Sequence, residues 1–296
     1  LFRSGTPVGF TATTVATTDG EVTHYIASIP SNSLAGGSMD EDYFLLTFDD
    51  GYIDNYTFAF PLLHEKGMQG SFFIPGKIIE NNVLLDVNKI HFILASTSVS
   101  KLKKDLKVFI NTEYAGYSGL KGYEELYEKY AHENRFDDGD TIFCKRILQT
   151  VLPEELRNEI TSILFKKYVE ISEEVFAREL YMNKEQIRLM KKSGMFIGIH
   201  GYDHYWLSTL SREMMKKDID RALESMDEFI DKKAWVMNYP YGDRNDDVID
   251  IVRGRGCVMG FTVEERIVEL EKDDRYIFPR LDCNDFPPIS ERWRNL

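Results

Sequence analysis

The chain reads as an α/β protein built on parallel strands. Short, continuously apolar runs recur along it, each followed by a segment whose apolar residues fall at helical spacing. Polar residues capable of chemistry stand directly after several of the runs. Strands covered by helices on both faces are apolar throughout rather than alternating, and parallel neighbours need a helical crossover between them. The pattern fits an α/β barrel or a doubly wound sheet.

Residues 1–39 are rich in Thr, Ser, Gly and Ala and suggest edge strands or a loosely packed lead-in. The globular pattern, residues 40–296, starts with "YFLLTF" at Tyr43, a buried strand. "NYTFAFPLLHEKG" predicts a helix stopped at Gly67, and "GSFFIPG" a second buried strand, so the crossover is right-handed. From 81 to 180 the texture changes. "SVSKLKKDLKVFI", "GYEELYEKYAHE", "CKRILQTVLPEELRNEITSILFKKYVE" and "SEEVFARELY" predict a helical insertion whose Lys and Glu runs are solvated faces. Pro153 is placed to open a helix there.

Alternation then resumes. "NKEQIRLMKKSG" is an amphipathic helix ended by Gly194, and "MFIGIH" is a strand closing at His200. The long helix after it is capped by Ser211. "AWVMNYPYG", the helix "NDDVIDIVRGRG", the strand "CVMGFTV" and the extended "YIFPRLDC" complete the chain.

Composition narrows the function. A net charge of −13 over 296 residues disfavours nucleic acid, whose phosphates are neutralised by Lys and Arg. No apolar run approaches the ~20 residues of a membrane-spanning helix. Cys144, Cys257 and Cys283 form no CxxC pair and read as free thiols, which favours a reducing compartment. No basic head followed by an apolar stretch marks a leader, so the expected location is cytoplasmic. A chain that starts at Leu1 leaves a secreted or periplasmic location open if a leader was removed.

In parallel α/β folds, functional groups gather at the carboxyl ends of strands. That rule puts Asp49 and Asp50 on one rim with His200, His204 and Tyr241. Two imidazoles four residues apart, with one carboxylate, make a ligand set for a divalent transition metal and leave positions open for water or substrate. The same set occurs in non-haem iron oxygenases, but on antiparallel barrels that this alternation does not match. Asp-Asp-Gly alone is usually a turn, and His-x-x-x-His alone is usually incidental. Their joint placement after two core strands carries the signal.

"TFDDG" at Thr47–Gly51, "HGYDH" at His200–His204 and "NYPYG" at Asn238–Gly242 resemble, in order, the motifs of the polysaccharide deacetylase family, the NodB-homology group of carbohydrate esterases. The resemblance covers residues 40–80 and 181–282. It implies a distorted (β/α) barrel of about seven strands and one divalent metal ion, usually zinc. By position, Asp50, His200 and His204 would bind the metal and Asp49 would be the general base. The backbone N–H of Tyr241 would stabilise the oxyanion. Tyr52, Tyr205, Trp206, Pro240, Arg280 and Asp282 are the expected substrate contacts, with core packing the alternative for Tyr205 and Trp206 and a structural salt bridge the alternative for Arg280 and Asp282.

Three departures stand out. Gly201 replaces the hydroxyl residue that follows the first His in the family, Asn238 stands where many members have an Arg paired with the base, and no histidine follows His204. The acid for the leaving amine is therefore Asp49 itself once protonated, a water, or His24 folded back from the N-terminal region. The implied activity is removal of an N-acetyl group from a sugar or glycan. A hydrolase of formamide or cyclic imide bonds, and a catalytically silent glycan-binding or assembly protein, are the rival readings. The insertion would cap the rim or form a homo-oligomer interface.

Overall fold

The computed structural model describes residues 24–28, 45–81, 83–117, 119–133 and 137–292, residues 24–28 as backbone only. The rest of the 1–39 lead-in lies outside the described residues.

Strand β1 (His24–Ser28) leads to β2 (Leu45–Phe48), α1 (Phe60–Glu65), β3 (Gly70–Ile74) and α2 (Gly76–Asn81). Helices α3 (Asp86–Ser96), α4 (Val99–Val108), α5 (Tyr123–Tyr130), α6 (Gly139–Arg146), α7 (Glu154–Tyr168) and α8 (Glu173–Leu180) follow. The alternation returns as α9 (Lys184–Lys192), β4 (Phe196–Ile199), α10 (Arg212–Ser225), β5 (Trp235–Asn238), α11 (Asp246–Gly254) and β6 (Cys257–Phe261).

The six strands form one sheet in the order β1-β2-β3-β4-β5-β6. From β2 to β6 all neighbours are parallel, and β1 is antiparallel to β2. A doubly wound sheet reverses its strand order at a switch point. This sheet does not reverse, so the winding is that of an α/β barrel. Among the described residues the parallel strands number five rather than about seven. One reason is visible after β6. Phe278 bridges Phe261 in parallel and exchanges hydrogen bonds with Gly260 and Thr262, as a further strand would. The next amide on that side, Arg280 N, goes to Glu264 O at 3.0 Å instead of continuing the register to Thr262 O, and the ladder stops.

The strands are apolar because both faces are covered. Every residue of β3 and β5 is buried. Leu45, Phe73, Val236, Met259, Phe261, Val268 and Phe278 pack as one cluster. Gly198 is required in β4, since a Cβ there would lie 2.5 Å from the Phe73 ring.

The expected helix across Pro61 is split. A π turn, Asn55–Ala59, precedes α1, whose first turn contains Pro61. Proline lacks the N–H that an unbroken α-helix would use there, and its ring crowds the carbonyl four residues back. Ser211 caps α10 by accepting from Met214 N, as expected. An Asn183–Gln186 capping box opens α9.

The chain divides into two compact units, Leu1–Asn82 with Arg178–Leu296, and Val83–Ala177. The second, helical unit has its own core: Ile90, Ile93, Leu102, Leu106, Phe143, Leu148 and Ile160 are fully buried. The buried Lys89 ammonium is neutralised by Glu173 and by Asp86 at 3.3 Å, and bonds Ser162 Oγ at 3.1 Å. Among the described residues, no helix is long and apolar enough to cross a membrane.

Candidate active site

Three loops at the carboxyl ends of β2, β4 and β5 bring the site together. Phe48 is followed by Asp49 and Asp50, Ile199 by His200, and Asn238 by the Tyr239–Gly242 turn. Four non-glycine residues have positive φ among the described residues, and three are here: Asp50 (67°), His204 (58°) and Tyr241 (58°). Left-handed backbone at such residues costs of order 1–3 kcal/mol and persists where the surroundings impose it.

Asp50 Oδ1 lies 3.4 Å from His200 Nε2 and 3.2 Å from His204 Nε2. One ligand atom from each residue fits within 4.8 Å of the others, and among the described residues this is the only such cluster found. His200 Nδ1 is 2.7 Å from the Asn238 carbonyl. With Nδ1–H donating there, the Nε2 lone pair faces Asp50. The imidazoles meet edge to face, centroids 4.8 Å apart.

Asp50 Oδ1 is buried and makes no well-formed hydrogen bond, although two ring nitrogens face it. Burial pushes this carboxyl's pKa up, but the His204 and His200 rings outweigh burial and hold it well below the usual carboxylate range. Burial also works against a charged His200, and Asp50 and Asp49 outweigh it, so that ring sits above its ordinary value. An orphaned carboxylate oxygen facing two imidazole nitrogens is what a divalent cation would satisfy. The donor set fits the metal implied by the sequence.

Asp49 is held differently. Arg280 grips it in a two-pronged ion pair, Nη1 to Oδ1 at 3.2 Å and Nη2 to Oδ2 at 3.0 Å. The same guanidinium donates from Nη1 to Thr47 Oγ1 at 3.1 Å and from Nε to the Thr262 carbonyl at 2.8 Å. Asn238 Nδ2 also donates to Asp49 Oδ1. The adjacent carboxylates thus have separate partners: imidazoles for Asp50, a guanidinium and an amide for Asp49.

The other expected contacts are distributed unevenly. Trp206 stacks on Tyr241, centroids 4.4 Å apart and planes 11° from parallel, and Tyr241 also meets the edge of His204 at 4.7 Å. Tyr52 forms a bridge with Tyr181, and their rings stack at 6.1 Å. Tyr205 is half-buried and Pro240 buried. Arg280 is 1 % exposed, so the guanidinium stands behind Asp49 as its partner instead of on an accessible wall. Asp282 accepts from Asn284 N at 2.8 Å in a capping box with Asp285, a turn-forming role. His64 packs against Phe60, and His91 lies in α3 of the helical unit.

A family model described as polysaccharide deacetylase matches residues 36–107 and 134–260, about two thirds of the chain. The poly-beta-1,6-N-acetyl-D-glucosamine N-deacetylase of Staphylococcus aureus (strain MRSA252) is 27% identical over 169 residues, covering 53% of this chain and 57% of that protein. The protein of the same name from Staphylococcus epidermidis is 28% identical over 123 residues, 38% of this chain and 42% of that one. The chain thus spans about half the length of the curated relatives it matches. Among solved structures, the Streptococcus pyogenes deacetylase PplD in complex with acetate aligns over 84% of this chain and 69% of that one, at 14% identity and a TM-score of 0.46. IcaB from Ammonifex degensii aligns over 80% and 66%, at 17% identity and a TM-score of 0.41. The matched stretches hold the Asp49–Asp50 turn, the His200–His204 loop and the Asn238–Gly242 turn, and the chain belongs to the polysaccharide deacetylase family.

Proposed function

We propose that this chain is a metal-dependent hydrolase that removes the N-acetyl group from an N-acetylated glycan. The observation that carries the reading is the convergence of Asp50, His200 and His204 beside a carboxylate, Asp49, fixed by Arg280. A divalent ion held by Asp50, His200 and His204, zinc by family analogy, would polarise an amide carbonyl and bring the pKa of a water toward ~7. Asp49 then takes the proton as general base, and its oxygens are held by Arg280 and Asn238 for that purpose. The left-handed Tyr241 peptide is the proposed oxyanion donor. Trp206 and Tyr241 supply an aromatic wall suited to acyl and sugar C–H groups.

The leaving amine needs a proton. Asp49 can return the one it has accepted. His24, whose backbone pairs with Phe48, is the alternative carried over from the sequence. A poly-β-1,6-linked N-acetylglucosamine chain is the proposed substrate, supported by the names of the relatives. The test is incubation of zinc-loaded protein with β-1,6-linked and β-1,4-linked N-acetylglucosamine oligomers, with acetate and the free amine measured. Loss of acetyl from the β-1,6 series supports the reading. No release from either series, with turnover of a formamide or cyclic imide instead, would reassign the reaction.

A further inference from the structure

Between the two imidazoles lie Gly201, Tyr202 and Asp203, and position 201 has no side-chain hydroxyl to brace the loop. The brace comes from another element. Asp218, on α10, accepts from Tyr202 N through Oδ2 and from Asp203 N through Oδ1, both at 3.0 Å. Gly201 makes room for it, because a Cβ there would stand 3.2 Å from Oδ2, and its φ is +68°. The loop carbonyls are held as well: Gly76 N donates to Gly201 O at 3.0 Å and Lys77 N to Tyr202 O at 3.2 Å. The next residue is His204, in left-handed backbone.

This is an expensive way to fix a loop. Asp218 is 4 % exposed, and among the described residues no cation is paired with it in the manner of Arg280 with Asp49. The charged groups around it are Asp203, whose carboxylate pairs with Lys77 at 2.6 Å, and Arg221 on α10. Arg221 is turned to Tyr202, its guanidinium carbon 3.7 Å from the ring centroid and its Nη2 2.5 Å from the hydroxyl, which also donates to Glu80. Burial pushes the Asp218 carboxyl up to about 6, against the two amide bonds that favour its ionised form; Asp203 adds to the rise and Arg221 opposes it. At neutral pH an ionised Asp218 therefore opposes folding while it shapes the loop.

We propose that Asp218 is a positioning residue for the metal centre, holding the 201–203 loop so that His204 and His200 present their ring nitrogens together. The proposal rests on the reading that Asp50, His200 and His204 bind a cation. Its distinguishing consequence is a split between metal affinity and stability. An outer-shell partner of a metal ligand is typically worth 10–100-fold in metal affinity, whereas a buried charge without a cation is not a stabilising element.

The test uses the full chain, stripped of metal and titrated with zinc against a chromophoric chelator. Asp218→Asn keeps one acceptor and turns an N–H₂ toward the other amide. Its zinc affinity is expected to fall at least 10-fold, while the melting temperature of the metal-free protein stays level or rises. Asp218→Glu, which keeps the charge and displaces it, is expected to lose affinity as well. Zinc affinity unchanged within twofold in both variants would overturn the proposal. So would a parallel loss of affinity and melting temperature in Asp218→Asn, or failure of that variant to fold, because either makes Asp218 a folding residue. If the wild-type chain itself takes up no zinc, the metal-site reading fails and the proposal with it, a result separable from failure of the variants alone.

Discussion

Replacing Arg280 by methionine keeps most of the buried stem volume and removes the charge. Four hydrogen bonds go: two to Asp49, one to Thr47 Oγ1 and one to the Thr262 carbonyl. Removing one partner of a buried ion pair costs about 3–5 kcal/mol, since the other charge stays behind. Asp49 keeps 13 % side-chain exposure and an Asn238 hydrogen bond, which places the cost near the lower end, about 3 kcal/mol. Orientation of the base is lost too. General-base catalysis contributes about 10²–10⁴-fold, and a base left swinging forfeits part of that, so kcat should fall by roughly 10–100-fold. KM should change little, because a guanidinium that is 1 % exposed is screened from substrate. Arg280→Lys should recover only a fraction, as one ammonium cannot reproduce the fork. Urea unfolding of the metal-free chain and steady-state acetate release measure the two effects. An Arg280→Met protein with wild-type stability and wild-type kcat, or one impaired only in KM, refutes the assignment.

Other consequences are equally specific. Asp49→Asn should lose about 10²–10⁴-fold in turnover, read by acetate release at saturating substrate. Zinc affinity should weaken as pH falls, beginning above the ordinary histidine range, because His200 holds its proton more tightly than a free imidazole; titrations across pH 5.5–8 would check the sign. Asp218 gives an opposite trend for stability. With its carboxyl raised to about 6 in the fold, its contribution is full below the ordinary carboxylate value and is lost as pH rises through 6, about 3 kcal/mol in all. Asp218→Asn should therefore gain on the wild type in urea stability between pH 4 and pH 7. His24→Gln should lower kcat and flatten the alkaline limb of the rate profile if His24 supplies the leaving-group proton, and leave both unchanged if Asp49 does.

The legible parts of this protein were those where one physical rule dominates. Apolar runs without alternation mark strands buried on both faces, and β2, β3, β4, β5 and β6 fall on such runs. Polar groups directly after two of those runs, Asp49–Asp50 and His200, meet in the fold because parallel strands end on one rim. Strand count was not legible, because whether an extended piece such as 276–281 becomes a strand depends on whether its register with a neighbour is kept, and here it shifts after Phe278. Arg280 was expected as a substrate contact with a structural salt bridge as the alternative, and the ion pair with Asp49 is what the fold contains. The signal for burial was present in its neighbours: Phe278 and Leu281 flank it, and both are buried. Asp218 left a similar trace. It falls in the stripe of Met215, Ile219 and Ala222, where an apolar residue belongs. A charge written into an apolar stripe needs a partner elsewhere, and here the partner is the backbone of the histidine loop.

The central claim is that one divalent ion is held by Asp50, His200 and His204 while Asp49 stays off the metal. Zinc stoichiometry on the purified chain and on Asp50→Asn, His200→Ala, His204→Ala and Asp49→Asn tests it most directly. The account predicts one equivalent for the wild type and for Asp49→Asn, and a large loss of zinc in each of the other three. A wild-type chain that binds no zinc, or an Asp50→Asn chain that still binds one equivalent as tightly, contradicts it.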